Sequence, residues 1–191
     1  FSQTAAGDNP CNATPLAAGN SCIYQTFTNG TATATTGVTA PGCGNYNGGD
    51  VWFSVVVPAS GVLIIDSNTG IITDGAMALY SGSCNALTLV TCDDDGSANG
   101  LMPSISQTGL TPGATIYIRF WDPNNNNNGT FQICAKAGAP CTTQLSNSAC
   151  ASADAFCSGV STDYCNTTNI ASLGGGGIYG CLGSTPNPAF Y

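Results

Sequence analysis

The chain has 191 residues, two basic side chains (Arg119 and Lys136) and ten acidic ones, all Asp, for a formal net charge of −8. Such a balance repels nucleic acid and anionic membrane surfaces. With no His and no Glu, Ser-His-Asp and Cys-His machinery lacks its base and His-type zinc sites cannot be built, and no run reaches the roughly 18 apolar residues that span a bilayer.

From about residue 20 to 136 short apolar segments alternate with turn residues, the pattern of an all-β chain. "SCIYQTFT" (21–28) is the first expected strand. "DVWFSVVVP" (50–58) alternates, placing Val51, Phe53, Val55 and Val57 on one face, and Pro58 ends it. "GVLIIDS" (61–67), "GAMALYSG" (75–82), "PSISQTG" (103–109), "ATIYIRFW" (114–121) and "TFQICAK" (130–136) follow. "DPNNNNNGT" (122–130) reads as a long hairpin loop before the last strand, because Asn tolerates left-handed turn conformations. Together these predict an antiparallel two-sheet β-sandwich, jelly-roll-like, followed by a Cys-rich, partly irregular segment.

Three features carry candidate sites. In "ATIYIRFW", Ile116, Ile118 and Phe120 alternate with Tyr117, Arg119 and Trp121. The sole arginine therefore shares a face with two aromatics, which suits a ligand platform or a solvated face with the guanidinium stacked. Asp93, Asp94 and Asp95 follow Cys92 directly. Alternate side chains of an extended strand point apart, so Asp93 and Asp95, joined by Asp74, are the expected calcium ligands. Asp50 is expected to make a local Asx-type bond that shapes the "GGD" turn.

Eleven cysteines without a CxxC pair point to disulfides in an oxidising compartment rather than to metal thiolates. The odd count leaves at least one without an intrachain partner. A turn centred near Thr88 would bring Cys84 and Cys92 face to face across a hairpin, a bridge worth about 2–3 kcal/mol. For Cys11, Cys22, Cys43 and Cys134, three pairings exist; Cys22–Cys43 with Cys11–Cys134 is preferred because it ties both ends of the sandwich. "KAGAPC" (136–141) marks a boundary between residues 1–136 and 137–191. The second part holds Cys141, Cys150, Cys157, Cys165 and Cys181, and its "NSACASADAFC" faintly repeats the opening "DNPCNATPL". N-x-S/T sequons stand at Asn12, Asn29, Asn128 and Asn166.

"CNATPLAAGNSC", "GCGNYNGGDVWFSVVVPASGVLIID", "ALYSGSC", "LTLVTCDDD", "GLTPGATIYIRFW" and "GTFQICA", in that order over about residues 8–136, resemble a β-sandwich module of secreted and surface proteins of the Bacteroidota. That module is similar to the pre-peptidase C-terminal domains found beside secreted proteases. "YGCLGSTPNPAFY" resembles the opening of a second module. The resemblance implies an extracellular, non-catalytic unit in adhesion or accessory roles. The expectation is a structural or adhesive module, with a filament or repeat-stalk version whose strands a neighbouring copy completes. The alternative is a calcium- or carbohydrate-binding accessory module of a secreted hydrolase. Expected partners are other copies, neighbouring modules or a glycan, with calcium the only expected cofactor.

Overall fold

A computed structural model describes residues 5–139. The bulk of the expected second module, its five cysteines and the Asn166 sequon lie outside the described residues. In chain order the strands are β1 (Thr14–Leu16), β2 (Ala18–Gly19), β3 (Gln25–Thr28), β4 (Val51–Val56), β5 (Leu63–Asn68), β6 (Ala76–Ser83), β7 (Ala86–Asp93), β8 (Ser104–Gln107), β9 (Thr115–Trp121) and β10 (Thr130–Ala137).

Two sheets stack face to face as an all-β sandwich. One runs β1-β4-β9-β6-β7 and the other β2-β10-β5-β8, with β3 sharing the β2 edge of β10. The longer pairs are antiparallel. The sheets are nevertheless mixed, because the short strands β1 and β2 join β4 and β10 in parallel. Neither short strand announces itself in sequence: three and two residues are too few for a period to show.

The alternation of the longer strands places their apolar sets. Val51, Phe53, Val55 and Val57 are all buried, as their spacing predicts, and meet Leu63, Ile65, Ile118, Phe131 and Ile133 between the sheets. The rings of Phe120 on β9 and Phe131 on β10 stack with centroids 3.8 Å apart, joining the two sheets. This contact explains the "DPNNNNNGT" stretch. Because β9 and β10 belong to different sheets, the stretch is an arch from one sheet to the other and not a hairpin loop. Asn124 and Asn125 take positive φ of 70° and 54° there, the conformation Asn tolerates best among residues with a side chain. Asp122 braces the arch, its Oδ2 accepting the Asn126 and Asn127 N–H groups at 2.7 and 2.6 Å.

All three expected disulfides, Cys84–Cys92, Cys22–Cys43 and Cys11–Cys134, are corrected. The bonds are Cys11–Cys84, Cys22–Cys134 and Cys43–Cys92. The cause is the position of one turn. Ser83 pairs with Ala86, so the hairpin turns at Cys84–Asn85 and not at Thr88. "ALTLVTCD" is then a straight strand, which carries Cys92 far along β7 from Cys84. A β-bulge at Val90 completes the arrangement: Leu79 pairs with Thr91 and Tyr80 with Leu89. The extra residue shifts side-chain parity. Cys92 thereby joins Leu87 and Leu89 on the outer face, where Cys43 reaches it, while Val90 turns to the main core.

Candidate functional site

The face of β9 that carries Tyr117, Arg119 and Trp121 is closed to solvent at Arg119 and Trp121 and half-buried at Tyr117. Residues 29–50 fold over it as a lid, and beneath the lid lies a second apolar cluster of Trp52, Ala76, Ala78, Tyr80 and Trp121. Arg119 is 1% exposed and Trp121 fully buried. The sequence reading put these three side chains on the right common face; the expected exposed platform is overturned because the lid covers it.

At the centre of this layer sits an ion pair. Arg119 Nε donates to Asp50 Oδ2 at 2.9 Å, with both side chains buried. Asp50 also accepts the Trp52 indole N–H at 2.9 Å, the Tyr46 hydroxyl at 2.6 Å and the Thr35 amide at 2.9 Å. Arg119 in turn donates to the Thr35 carbonyl at 3.2 Å and lies 3.9 Å from the Tyr46 ring centroid. Asp50 is therefore not a local turn-former but the anchor of the lid. Burial alone would lower the Arg119 pKa, yet the Asp50 charge, with Tyr46 and Tyr80 beside it, raises it above its ordinary value. The Tyr46 hydroxyl is likewise pushed up, first by burial and then by its bond to Asp50. Sequence reading missed the pair: it left the Arg119 face open to solvent or ligand and gave Asp50 only a local role. The signal it passed over is a lone Arg among aromatics, which needs an acid once it is covered.

The acidic corner is rearranged relative to expectation. Asp74, Asp94 and Asp95 bring carboxylate oxygens within 4.8 Å of one another. Asp93 is not among them. Its Oδ2 accepts the Gly96 and Ser104 amides at 2.8 and 2.9 Å, which closes the loop into β8. Alternation fails as a guide here because Asp93 is the last residue of β7, and past the strand end the side chains of Asp94 and Asp95 can converge. Asp94 Oδ1 is buried and has no hydrogen-bond partner among the described residues. Burial first, then the Asp95 charge, raises the pKa of Asp94 and of Asp74. The donor set is all hard oxygen, the chemistry calcium prefers.

A third feature is a groove of about 530 Å³ between the N-terminal segment Asp8–Cys11, the lid residues Thr33–Thr39 and the hairpin turn Cys84–Leu87. Sequence reading did not find it, since its walls are three loops far apart in the chain.

Two of the described sequons are engaged by the fold. Asn29 is fully buried; its Nδ2 donates to Gly49 O and Asn128 Oδ1 at 2.8 and 2.7 Å, and its Oδ1 accepts the Gly129 amide at 2.8 Å. Asn12 is exposed. No helix of the described residues is long and apolar enough to cross a membrane.

No protein-family model matches the chain, and no curated protein does. Among solved structures, the pre-peptidase C-terminal domain of a collagenase from Bacillus anthracis aligns at 13% identity and a TM-score of 0.40, covering 65% of this chain and 94% of that one. The Yersinia pseudotuberculosis-derived mitogen aligns at 13% identity and a TM-score of 0.36, over 62% and 88% of the two chains. A family 6 carbohydrate-binding module aligns at 12% identity and a TM-score of 0.30, over 64% and 98%. These overlaps are too loose to transfer a ligand or an activity.

Proposed function

We propose that this chain is a non-catalytic extracellular module, a structural or adhesive unit of a surface protein. The disulfide connectivity carries the reading. The three bonds link residues 73, 112 and 49 positions apart: two fasten the N-terminal segment and the lid to the β6–β7 hairpin of one sheet, and the third fastens the segment between β2 and β3 to β10 of the other. Structural disulfides persist in oxidising compartments and resist reduction there. The polar chemistry points the same way. Asp8, Asp50, Asp66, Asp93 and Asp122 accept hydrogen bonds from the chain's own donors, so these carboxylates hold the fold. Among the described residues β7, eight residues long, is the outermost strand of its sheet, and its edge gives copies or neighbouring modules a place to add a strand, which suits a filament or a repeat stalk.

The test uses native material. Incubation with polysaccharide and peptide substrates is expected to release no products. Product release that is lost in an Asp94→Asn or Asp74→Asn protein would overturn the non-catalytic reading. Electron micrographs showing only monodisperse monomers would remove the filament version.

A second reading, a calcium-stabilised accessory module, is favoured by the unpartnered Asp94 Oδ1 beside Asp74 and Asp95. Calcium there would be held by these three carboxylates, supplemented by water or backbone oxygen. A ligand at roughly a hundred times its Kd stabilises the fold by about 2.7 kcal/mol. Melting in calcium against melting in chelator should differ accordingly, and no difference would sink the site.

A further inference from the structure

We infer that the groove between Asp8–Cys11, Thr33–Thr39 and Cys84–Leu87 is a binding site for a neutral, polyhydroxylated ligand, one stretch of an uncharged glycan. This rests on the adhesive reading above and names what the module adheres to.

The groove is held open in advance of any ligand. Its N-terminal wall is fixed to the hairpin wall by the Cys11–Cys84 bond. The same wall is fixed to the lid by Asp8, whose two oxygens accept the Thr33 amide and hydroxyl at 2.6 and 2.9 Å. The lid wall is fixed in turn to the sheet by the Tyr80 hydroxyl, which donates to the Thr39 carbonyl at 2.9 Å, and by the Asp50 amide and indole bonds described above. Three loops cross-tied in this way lose little conformational freedom on binding, which is what permits affinity from a few polar contacts.

The lining decides the ligand class. Thr36, Thr39, Asn9 and Asn85 are exposed on the walls. The Thr36 and Thr39 hydroxyls, and the Nδ2 groups of Asn9 and Asn85, donate no hydrogen bond within the described residues; the Asn9 carbonyl is taken up by the Asn12 amide at 3.2 Å. Hydroxyls and amides that both donate and accept match the hydroxyls of a sugar. Among the described residues Asp8 is the only charged one lining the groove, and its sign disfavours phosphate, sulfate or uronate. Among the described residues no aromatic side chain lines the walls, so recognition by them rests on hydrogen bonds and not on ring stacking. The volume of about 530 Å³ lies within the range of small-molecule sites, roughly 300–1,000 Å³. An open, hydrogen-bonding site of this kind should bind with a Kd of about 1 mM.

The experiment is an amide-shift titration of the isotope-labelled, oxidised full chain with cellohexaose, xylohexaose and chitohexaose in separate tubes. At least one is expected to shift amides confined to residues 8–11, 33–39 and 84–87. In the double variant Thr36→Val/Thr39→Val, whose two side chains are exposed and so leave the fold intact, binding should weaken by about tenfold. Silence with all three probes, shifts centred elsewhere, or full binding by the double variant would each overturn the site. The two readings fail separately. Sugar fragments appearing in the tube refute the non-catalytic function but not the groove; unmoved amides refute the groove and leave the non-catalytic function standing.

Discussion

Replacing Asp50 by Ala isolates the lid anchor. The substitution deletes the acceptor of four donors: the Thr35 amide, the Tyr46 hydroxyl, the Trp52 indole and the Arg119 guanidinium. Thr35 and Tyr46 are half-buried, and their donors can take water in place of Asp50. Arg119, at 1% exposure, does not. Breaking a buried pair by removing one partner costs about 3–5 kcal/mol, because a charge is left without its counter-ion. At a urea slope of about 2 kcal/mol per molar, the unfolding midpoint should fall by about 2 M. Tryptophan fluorescence of the oxidised protein reads the transition, since Trp52 and Trp121 both lie under the lid. The decisive companion is Asp50→Leu/Arg119→Met. With both charges gone, no orphan remains, and the double variant should be more stable than Asp50→Ala. A loss below about 1 kcal/mol for Asp50→Ala, or a double variant less stable than the single, would refute the claim that the ion pair rather than apolar packing secures the lid.

Peptide mapping without reduction should recover Cys11–Cys84, Cys22–Cys134 and Cys43–Cys92; recovery of Cys84–Cys92 would place the hairpin turn elsewhere. Deleting the last bond with Cys43→Ser/Cys92→Ser should cost about 4 kcal/mol by chain entropy and free the lid to rapid amide exchange, and unchanged exchange in residues 29–50 would count against the lid. Gly7 has φ +77° and a Cβ there would run into the Trp52 carbonyl oxygen, so Gly7→Ala should destabilise by more than 1 kcal/mol, visible as a lower melting midpoint; Gly37→Ala, with the same φ and open space, should cost less. At the acidic corner the raised pKa of Asp74 and Asp94 means the folded state holds protons more tightly than the unfolded one. Metal-free stability should therefore fall as pH rises from the ordinary carboxylate range through the raised values, and recover on acidification. Asp94→Asn should raise the metal-free melting midpoint at neutral pH and flatten that slope; a lower midpoint with the slope retained would contradict it. Asn29→Ala removes three hydrogen bonds from a buried site and should cost about 2–3 kcal/mol in urea unfolding, whereas exposed Asn12→Ala should cost well under 1.

The main strands were legible because each had room for its period. Val51, Phe53, Val55 and Val57, or Ile116, Ile118 and Phe120, alternate for long enough to declare a buried face. The three-residue β1 and two-residue β2 are set by what they lie beside, not by their own side chains. The acidic corner was half legible: its composition was plain, but which two of three successive Asp converge depends on where β7 ends. Asp93 is taken by the Gly96 and Ser104 amides, donors that only the closed loop into β8 supplies.

Composition and period alone settled that this is an oxidised, sheet-built chain with one face of β9 carrying Tyr117, Arg119 and Trp121. Tertiary structure decided whether that face meets water. A pleat fixes which side chains stand together, since its repeat is local. Cover is not local: residues 29–50 have no period of their own, and they close over β9 only because Trp52, Tyr80, Cys92 and Arg119 hold them there from four different strands. The cysteine pairings follow the same rule, since one turn at Cys84–Asn85 and one bulge at Val90 set where each sulfur points.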